Sequence, residues 1–256
     1  MTTDLLRVES LSMRFGGLLA VNNLSFTLAQ GEIRGLIGPN GAGKTTTFNA
    51  ISGFYVPSSG RIVFKGEDIS GLKMNAVAAK GLIRTFQHST LFQEFTLVEN
   101  MLIGCHLHRR PSLLDALLGR TGEARRDSLE KSLEVLAFFN LLDRKDDLAA
   151  ELPHGLQRAL GIAIALVSDP ELLLLDEPFT GMNPEETRQM MELVLKIRDR
   201  GVSTLLVEHD MQAVMGLCDR ITVLNFGSLL VEGTPDEIRT NPDVIEAYLG
   251  APRHAS

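Results

Sequence analysis

The eight residues Gly38-Pro39-Asn40-Gly41-Ala42-Gly43-Lys44-Thr45 match the spacing G-x-x-x-x-G-K-[ST]. They lie between a short apolar run, Glu32-Ile-Arg-Gly-Leu-Ile, and a segment, Lys44–Ser52, that reads as a helix. A strand running into a glycine-rich turn and then a helix lets backbone N–H groups curl around phosphate oxygens. The positive end of the helix adds its attraction, Lys44 is placed to reach terminal phosphates, and the Thr45 hydroxyl is placed to ligate Mg²⁺. Nucleotide contacts are therefore expected from Gly38, Pro39, Asn40, Gly41, Ala42, Gly43, Lys44, Thr45 and Thr46. The alternative is a chance match in a glycine turn, which ordinary residue frequencies put on the order of 1% for a chain this long, and the strand and helix on either side lower it further.

The rest of the chain supports that setting. Leu172-Leu-Leu-Leu is apolar without alternation, as in a parallel strand covered by helices on both faces, and Val202–Val207 reads the same way. Glu185–Asp199 reads as an amphipathic helix with Asn183 as N-cap, Pro184 at the first helical position and an acidic pair at the positive end. Strand and helix alternate, so the fold class expected is α/β: a P-loop NTPase core with a parallel sheet. The first thirty residues and Arg61–Phe64 carry short alternating strands, expected to form an antiparallel β-layer. Between them and Leu172, the stretch from His88 to about Ala150 has helical periodicity (Leu129, Leu133, Leu136, Ala137), a polar break at Arg120–Arg126 and no strong strand run. The expected division is one domain, with residues 1–87 and 159–256 as the nucleotide-binding core with its β-layer and 88–158 as an inserted helical subdomain. Thr234-Pro235-Asp236-Glu237 and Asn241-Pro242-Asp243 each repeat an N-cap, proline, acid pattern and should start two short helices.

Two carboxylates, Asp176 and Glu177, follow the Leu172–Leu175 run, where ligands bind in open α/β sheets. Asp176 is expected to hold the metal, directly or through water, and Glu177 to polarise a water for attack on the γ-phosphate. On its own this would be a strand ending in a solvated acidic turn; the phosphate loop in the same chain favours the chemical reading. His209 follows the Ser203–Glu208 strand and so falls at the same strand ends. Gln87 carries an amide that can reach the metal or the attacking water. Taken singly, a histidine or glutamine of this kind is more often structural.

Composition narrows the partners. With 25 Lys and Arg against 32 Asp and Glu, the net charge is −7, and nucleic acid is not expected as a partner. Cys105 and Cys218 stand far apart in apolar contexts and read as small buried hydrophobes. Met1–Asp4 has no basic stretch leading into an apolar one, and the longest apolar runs fall well short of the roughly 20 residues a membrane span needs. The expectation is a cytoplasmic chain that meets the membrane only through another protein.

These motifs, in this order, resemble the ABC transporter nucleotide-binding family along nearly the whole chain. The phosphate loop Gly38–Thr45, Gln87, the signature segment Leu152–Arg158, Leu172–Asp176, Glu177, the Gly181-Met182-Asn183-Pro184 loop and His209 follow one another as in that family. The resemblance implies ATP and Mg²⁺ as cofactors. It also implies a head-to-tail dimer, a homodimer or a heterodimer with a sister ATPase, in which each ATP lies between one chain's phosphate loop and the other's signature segment. Gly155 then contributes to nucleotide binding, Thr45, Gln87 and Asp176 to the metal, and Glu177, His209 and Gln87 to hydrolysis. Phe15 stands where the family stacks an aromatic on adenine; the alternative is a core strand phenylalanine. Arg14-Phe15-Gly16-Gly17, Arg84-Thr85-Phe86-Gln87, Glu208-His209-Asp210-Met211 and the closing Asn241–Gly250 are similar to the branched-chain amino acid importer subgroup, which also serves urea, short amides and aromatic acids. That implies integral membrane permease subunits as partners, a solute-binding protein indirectly, and a position on the inner face of the cell membrane.

One departure stands out. The family's Leu-Ser-Gly-Gly-Gln is here Leu152-Pro153-His154-Gly155-Leu156, and Ile164 replaces a usual arginine. Pro153 offers neither N–H nor hydroxyl, so only Gly155 keeps the expected backbone contact. Two other classes fit less well. An ABC-type ATPase working on ribosomes or DNA would carry two fused cassettes, a long coiled coil or a basic arm; a small P-loop GTPase would carry Asn-Lys-x-Asp, and that class or a P-loop kinase would leave Gln87, the signature segment and His209 unexplained. Leu91, Phe92 and Phe95 either form an apolar groove for a short permease helix or fill the insertion's own core.

Overall fold

The computed structural model describes residues 4–85, 91–108 and 121–249, as two compact units. The first consists of Met1–Arg84, Glu171–Gly181 and Thr187–Ser256, the second of Thr85–Pro170 and Met182–Glu186.

In the first unit the chain opens with β1 (Asp4–Phe15) and β2 (Leu18–Ala29), which pair antiparallel, and β4 (Ser59–Phe64) joins the other edge of β1 with β5 (Glu67–Asp68) outside it. The β-layer is thus present, but its first two strands run for twelve residues each rather than as short pieces. Bulges between Val8 and Leu11 and between Leu11 and Met13 let one long strand keep its apolar side inward while it bends.

The second sheet has β3 (Ile33–Ile37) at its centre, β8 (Ser203–Val207) and β7 (Leu172–Asp176) on one side and β9 (Arg220–Asn225) on the other. These pair in parallel, as does the short β6 (Leu82–Arg84) at the far edge, while β10 (Ser228–Gly233) closes the opposite edge antiparallel. β3, β7 and β8 are buried at every residue, which is why they read as continuous apolar runs. α1 (Lys44–Ile51) contributes Phe48 and Ile51 to the core between the sheets, alongside Leu6, Leu24, Leu172 and Leu205. Strands β6, β9 and β10 escape the sequence reading. β6 has three residues, and β10 is part-exposed, so neither shows the pattern of a buried strand.

Arg34, in the middle of β3, is only 2% exposed. Its guanidinium bonds Glu32, just before the same strand, at 2.8 Å, Glu232 on β10 at 3.0 Å and Thr222 on β9 at 3.1 Å, so the buried charge faces two carboxylates and a hydroxyl. Helices α2 (Met74–Ala78), α7 (Met211–Leu217), α8 (Pro235–Thr240) and α9 (Pro242–Leu249) also belong to the unit, as does α6 (Pro184–Asp199) from Thr187 onward. α8 and α9 start where the N-cap, proline, acid pattern placed them, and α8 carries in addition a capping box between Thr234 and Glu237.

The second unit is helical: α3 (Leu97–His108), α4 (Thr121–Phe138) and α5 (His154–Leu166). The polar break expected at Arg120–Arg126 is instead helical from Thr121, with Arg125 and Arg126 turned to solvent. The buried stripe of α4 is Ser132, Val135 and Leu136, continued by Phe139; Leu129 and Ala137 are exposed, so the register differs from the expected one. A division at residue 158 falls inside α5, which runs unbroken to Leu166. Ile164 packs on α3, where a side chain on Gly104 would come within 2.8 Å of its Cγ2. α6 (Pro184–Asp199) starts as expected: Asn183 Oδ1 accepts the N–H groups of Glu185 and Glu186 at 3.0 Å each, and Glu186 accepts the N–H of Asn183 at 2.9 Å. Both cysteines are buried.

Candidate active site

Because β3, β8 and β7 are adjacent and parallel, the loops that follow them leave the sheet along one edge. The loop after β3 carries Gly38–Thr45, the loop after β7 carries Glu177, and the loop after β8 carries Glu208 and His209. The sheet order brings the phosphate loop to the same sheet edge as Glu177 and His209, which lie far from it in sequence.

The phosphate loop needs its glycines at two places for a reason beyond flexibility. A side chain on Gly38 (φ +152°) would meet Leu224 O at 2.2 Å, and one on Gly43 (φ +98°) would meet Ala20 O at 2.6 Å. Gly43 is the N-cap of α1, and neither a capping side chain nor an acidic residue in the first turn competes for the helix's first N–H donors. Those donors, with the helix dipole behind them, suit an anion. Lys44 is buried, and its Nζ donates to Gly38 O at 2.7 Å and Pro39 O at 3.0 Å, folding the side chain back over the loop. Burial holds its pKa below the ordinary lysine value, while the charge of Glu177 acts the other way. Asn40, Gly41 and Thr45 are exposed, Pro39, Gly43 and Thr46 part-exposed, and Gly38 and Ala42 buried.

Asp176 ends β7 and is 6% exposed; its Oδ2 accepts from Arg84 at 2.7 Å. Arg84, at the end of β6, also donates to Asn49 Oδ1 at 2.5 Å and lies over the Phe48 ring. Among the described residues no group of three or more His, Cys, Asp or Glu could hold a metal by itself. That donor set, one carboxylate and a Thr45 hydroxyl beside a phosphate-binding loop, fits Mg²⁺, which is commonly held by one or two carboxylates together with substrate phosphates.

Glu177 adopts φ +49°, a left-handed conformation unusual for a residue with a side chain. Its N–H donates to Val207 O at 2.9 Å, Thr180 Oγ1 lies 3.3 Å from its Oε2, and His209 Nε2 lies 3.0 Å from its Oε1. Glu208 faces inward at 2% exposure. Burial pushes its carboxyl above the ordinary glutamate range, against the opposing effect of the backbone N–H groups of Phe179, His209 and Asp210 and with a further upward push from Glu177. Arg84, Thr180 and Glu208 escaped the sequence reading as site residues. Arg84 and Glu208 each stand beside a motif, at the end of an apolar run, and that placement was the available signal.

Phe15, at the end of β1, is 42% exposed and packs edge-on against Tyr55 at 5.1 Å, so the core alternative does not hold. Gly155 and the Leu152–Leu156 segment belong to the helical unit, with Pro153 as N-cap of α5 and Gln157 Nε2 donating to Leu152 O at 3.0 Å. Gln87 lies outside the described residues. Leu91 is buried, whereas Phe92 and Phe95 are exposed and stacked with ring centres 5.4 Å apart. Among the described residues no helix is long and apolar enough to cross a membrane.

The chain matches the family model for the ABC transporter over residues 21–180 and that for the branched-chain amino acid ATP-binding cassette transporter over residues 228–254. It is 47% identical over 254 residues to the high-affinity branched-chain amino acid transport ATP-binding protein LivG of Escherichia coli, covering 98% of this chain and 99% of that protein. It is 45% identical over 253 residues to the corresponding BraF of Pseudomonas aeruginosa, with the same coverage of each. Its fold is similar to the ADP conformation of an ATP-binding cassette of an ABC transporter, with a TM-score of 0.86 and 30% identity over 98% of this chain and 100% of that one. The phosphate loop, the strand-end carboxylates and the extent of these matches together place the chain in the ABC transporter family, as one of its ATP-binding cassette ATPases.

Proposed function

We propose that this chain binds and hydrolyses ATP as a subunit of an importer, energising uptake of branched-chain amino acids or a related small solute. The observation that carries the hydrolytic part is the Glu177–His209 contact at 3.0 Å, at the same sheet edge as the phosphate loop. The relatives named for branched-chain amino acid transport support the cargo class.

In this reading the backbone of Gly38–Thr46 and the ammonium of Lys44 bind the phosphates, and Phe15 stacks on the base. Thr45, Asp176 and Gln87 would hold Mg²⁺, which supplies charge neutralisation at the phosphates when bound. Glu177 orients and polarises the attacking water, and His209 holds Glu177 while facing the charge that develops in the transition state. Gly155 of a second cassette, an identical chain or a sister ATPase, completes each site. The chain works as a single cassette domain on the cytoplasmic face of the membrane. Exposed Phe92 and Phe95 on the helical unit receive a permease subunit, and a solute-binding protein acts through that permease.

The test is to purify the chain with its neighbouring membrane and solute-binding proteins and to measure ATP turnover with single solutes. Stimulation by leucine, isoleucine or valine is expected. Purification with ribosomes or DNA, or turnover indifferent to every solute, would contradict the proposal.

A further inference from the structure

Glu208 takes no part in the steps assigned above, although it is the buried carboxylate nearest in sequence to His209. A charged group taken from water is costly unless hydrogen bonds satisfy it. Here the donors come from two different loops: Oε1 accepts the N–H of Phe179 at 2.7 Å, and Oε2 accepts the N–H groups of His209 at 2.9 Å and Asp210 at 3.4 Å. Phe179 follows Glu177 by two residues, and His209 carries the ring that meets Glu177. One side chain therefore spans the loop after β7 and the loop after β8.

The backbone of Glu177 explains why such a tie matters. A residue with a side chain at φ +49° persists only where its surroundings over-determine the conformation. The bond from Glu177 N–H to Val207 O fixes one end of this turn on β8, and the bond from Phe179 N–H to Glu208 fixes the other. Resting on the reading of Glu177 and His209 given above, we infer that Glu208 is a positioning residue for ATP hydrolysis: its two oxygens, one serving each loop, set the separation of the Glu177 carboxylate from the His209 ring.

The chemistry of the alternatives sharpens the inference. Glutamine keeps the shape, but its amide nitrogen is a donor and must face one of the backbone N–H groups, so only one loop stays tied. Aspartate is one methylene shorter and reaches one loop at a time. Either change leaves Glu177 and His209 in place while loosening the distance between them, and a misplacement of about 1 Å can cost about a hundredfold in rate.

The experiment compares Glu208→Gln and Glu208→Asp in the full chain, in the wild-type and His209→Ala backgrounds, by single-turnover ATP hydrolysis, equilibrium ATP binding and thermal melting. The expected result is a loss of about tenfold or more in rate with ATP affinity unchanged, and less than about twofold further loss when His209 is already absent, since coupled residues are not additive. Wild-type turnover in a folded Glu208→Gln protein would overturn the inference. An equal loss in both backgrounds, or failure of both variants to fold, would make Glu208 a stability residue and overturn it as well. Wild-type turnover in Glu177→Gln and His209→Ala, without any change at Glu208, would instead remove the site reading on which the inference rests.

Discussion

His209 Nε2 lies 3.0 Å from Glu177 Oε1, although the two residues are 32 positions apart and on different loops. The contact exists because β7 and β8 are adjacent and parallel, with Asp176 paired to Val207 at their ends. His209→Ala leaves the carboxylate without this partner at the point where charge develops. ATP turnover should fall by about a hundredfold or more, with ATP affinity little changed and the melting temperature hardly moved, since the His209 side chain is 44% exposed and not part of the core. Parallel binding and turnover measurements check this.

Lys44 gives the opposite signature. Its ammonium is buried against two carbonyl oxygens, and desolvation lowers its pKa, so an anion in the loop should bind it strongly. Lys44→Ala should abolish tight ATP binding. A ligand at a thousandfold excess over its Kd stabilises a protein by about 4 kcal/mol, and that nucleotide-dependent rise in melting temperature should vanish in the variant. Melting curves with and without ATP read it directly.

Much of this site is legible in the sequence, because its residues sit where local sequence announces them. The glycine spacing from Gly38 to Gly43 and the apolar run ending at Asp176 each carry their own structural signal. Glu208 does not: its role comes from Phe179 N–H, a backbone group 29 residues away that no pattern names. Arg84 likewise acquires its meaning from the β6–β7 pairing that carries it to Asp176. In the helical unit the 3.6-residue period was visible, but its phase was not. Leucine at 129 and serine at 132 invite the wrong choice of inward face, and packing decides for Ser132.

Phe15 tests the base site. Its exposed ring rests on Tyr55 and contributes little to the core. Stacking of a base on an aromatic ring is worth about 1–3 kcal/mol, so Phe15→Ala should weaken ATP binding by about fivefold to about 150-fold, while Phe15→Trp should preserve it. Equal affinity in the alanine variant, measured by calorimetry, would take Phe15 out of the site.

The altered segment Leu152-Pro153-His154-Gly155-Leu156 bears on symmetry. In a homodimer both composite sites would carry it, and both should be slow. With a sister ATPase whose segment is fuller, the site built on this chain's Lys44, Asp176 and Glu177 should carry most of the hydrolysis. Losing one donor to transition-state charge costs about a hundredfold or more in rate. Placing Glu→Gln in one ATPase at a time within the full transporter should give a far larger loss from this chain; equal losses, or a homodimer as active as the complex, would contradict the asymmetry.

The decisive measurement is single-turnover hydrolysis beside equilibrium ATP binding in Glu177→Gln. The amide preserves the size of the side chain and its place at the end of β7 but cannot polarise water as a carboxylate does. ATP affinity at the wild-type level with turnover reduced by about a hundredfold or more is the predicted result; turnover at the wild-type rate would show that Glu177 does not act on the attacking water.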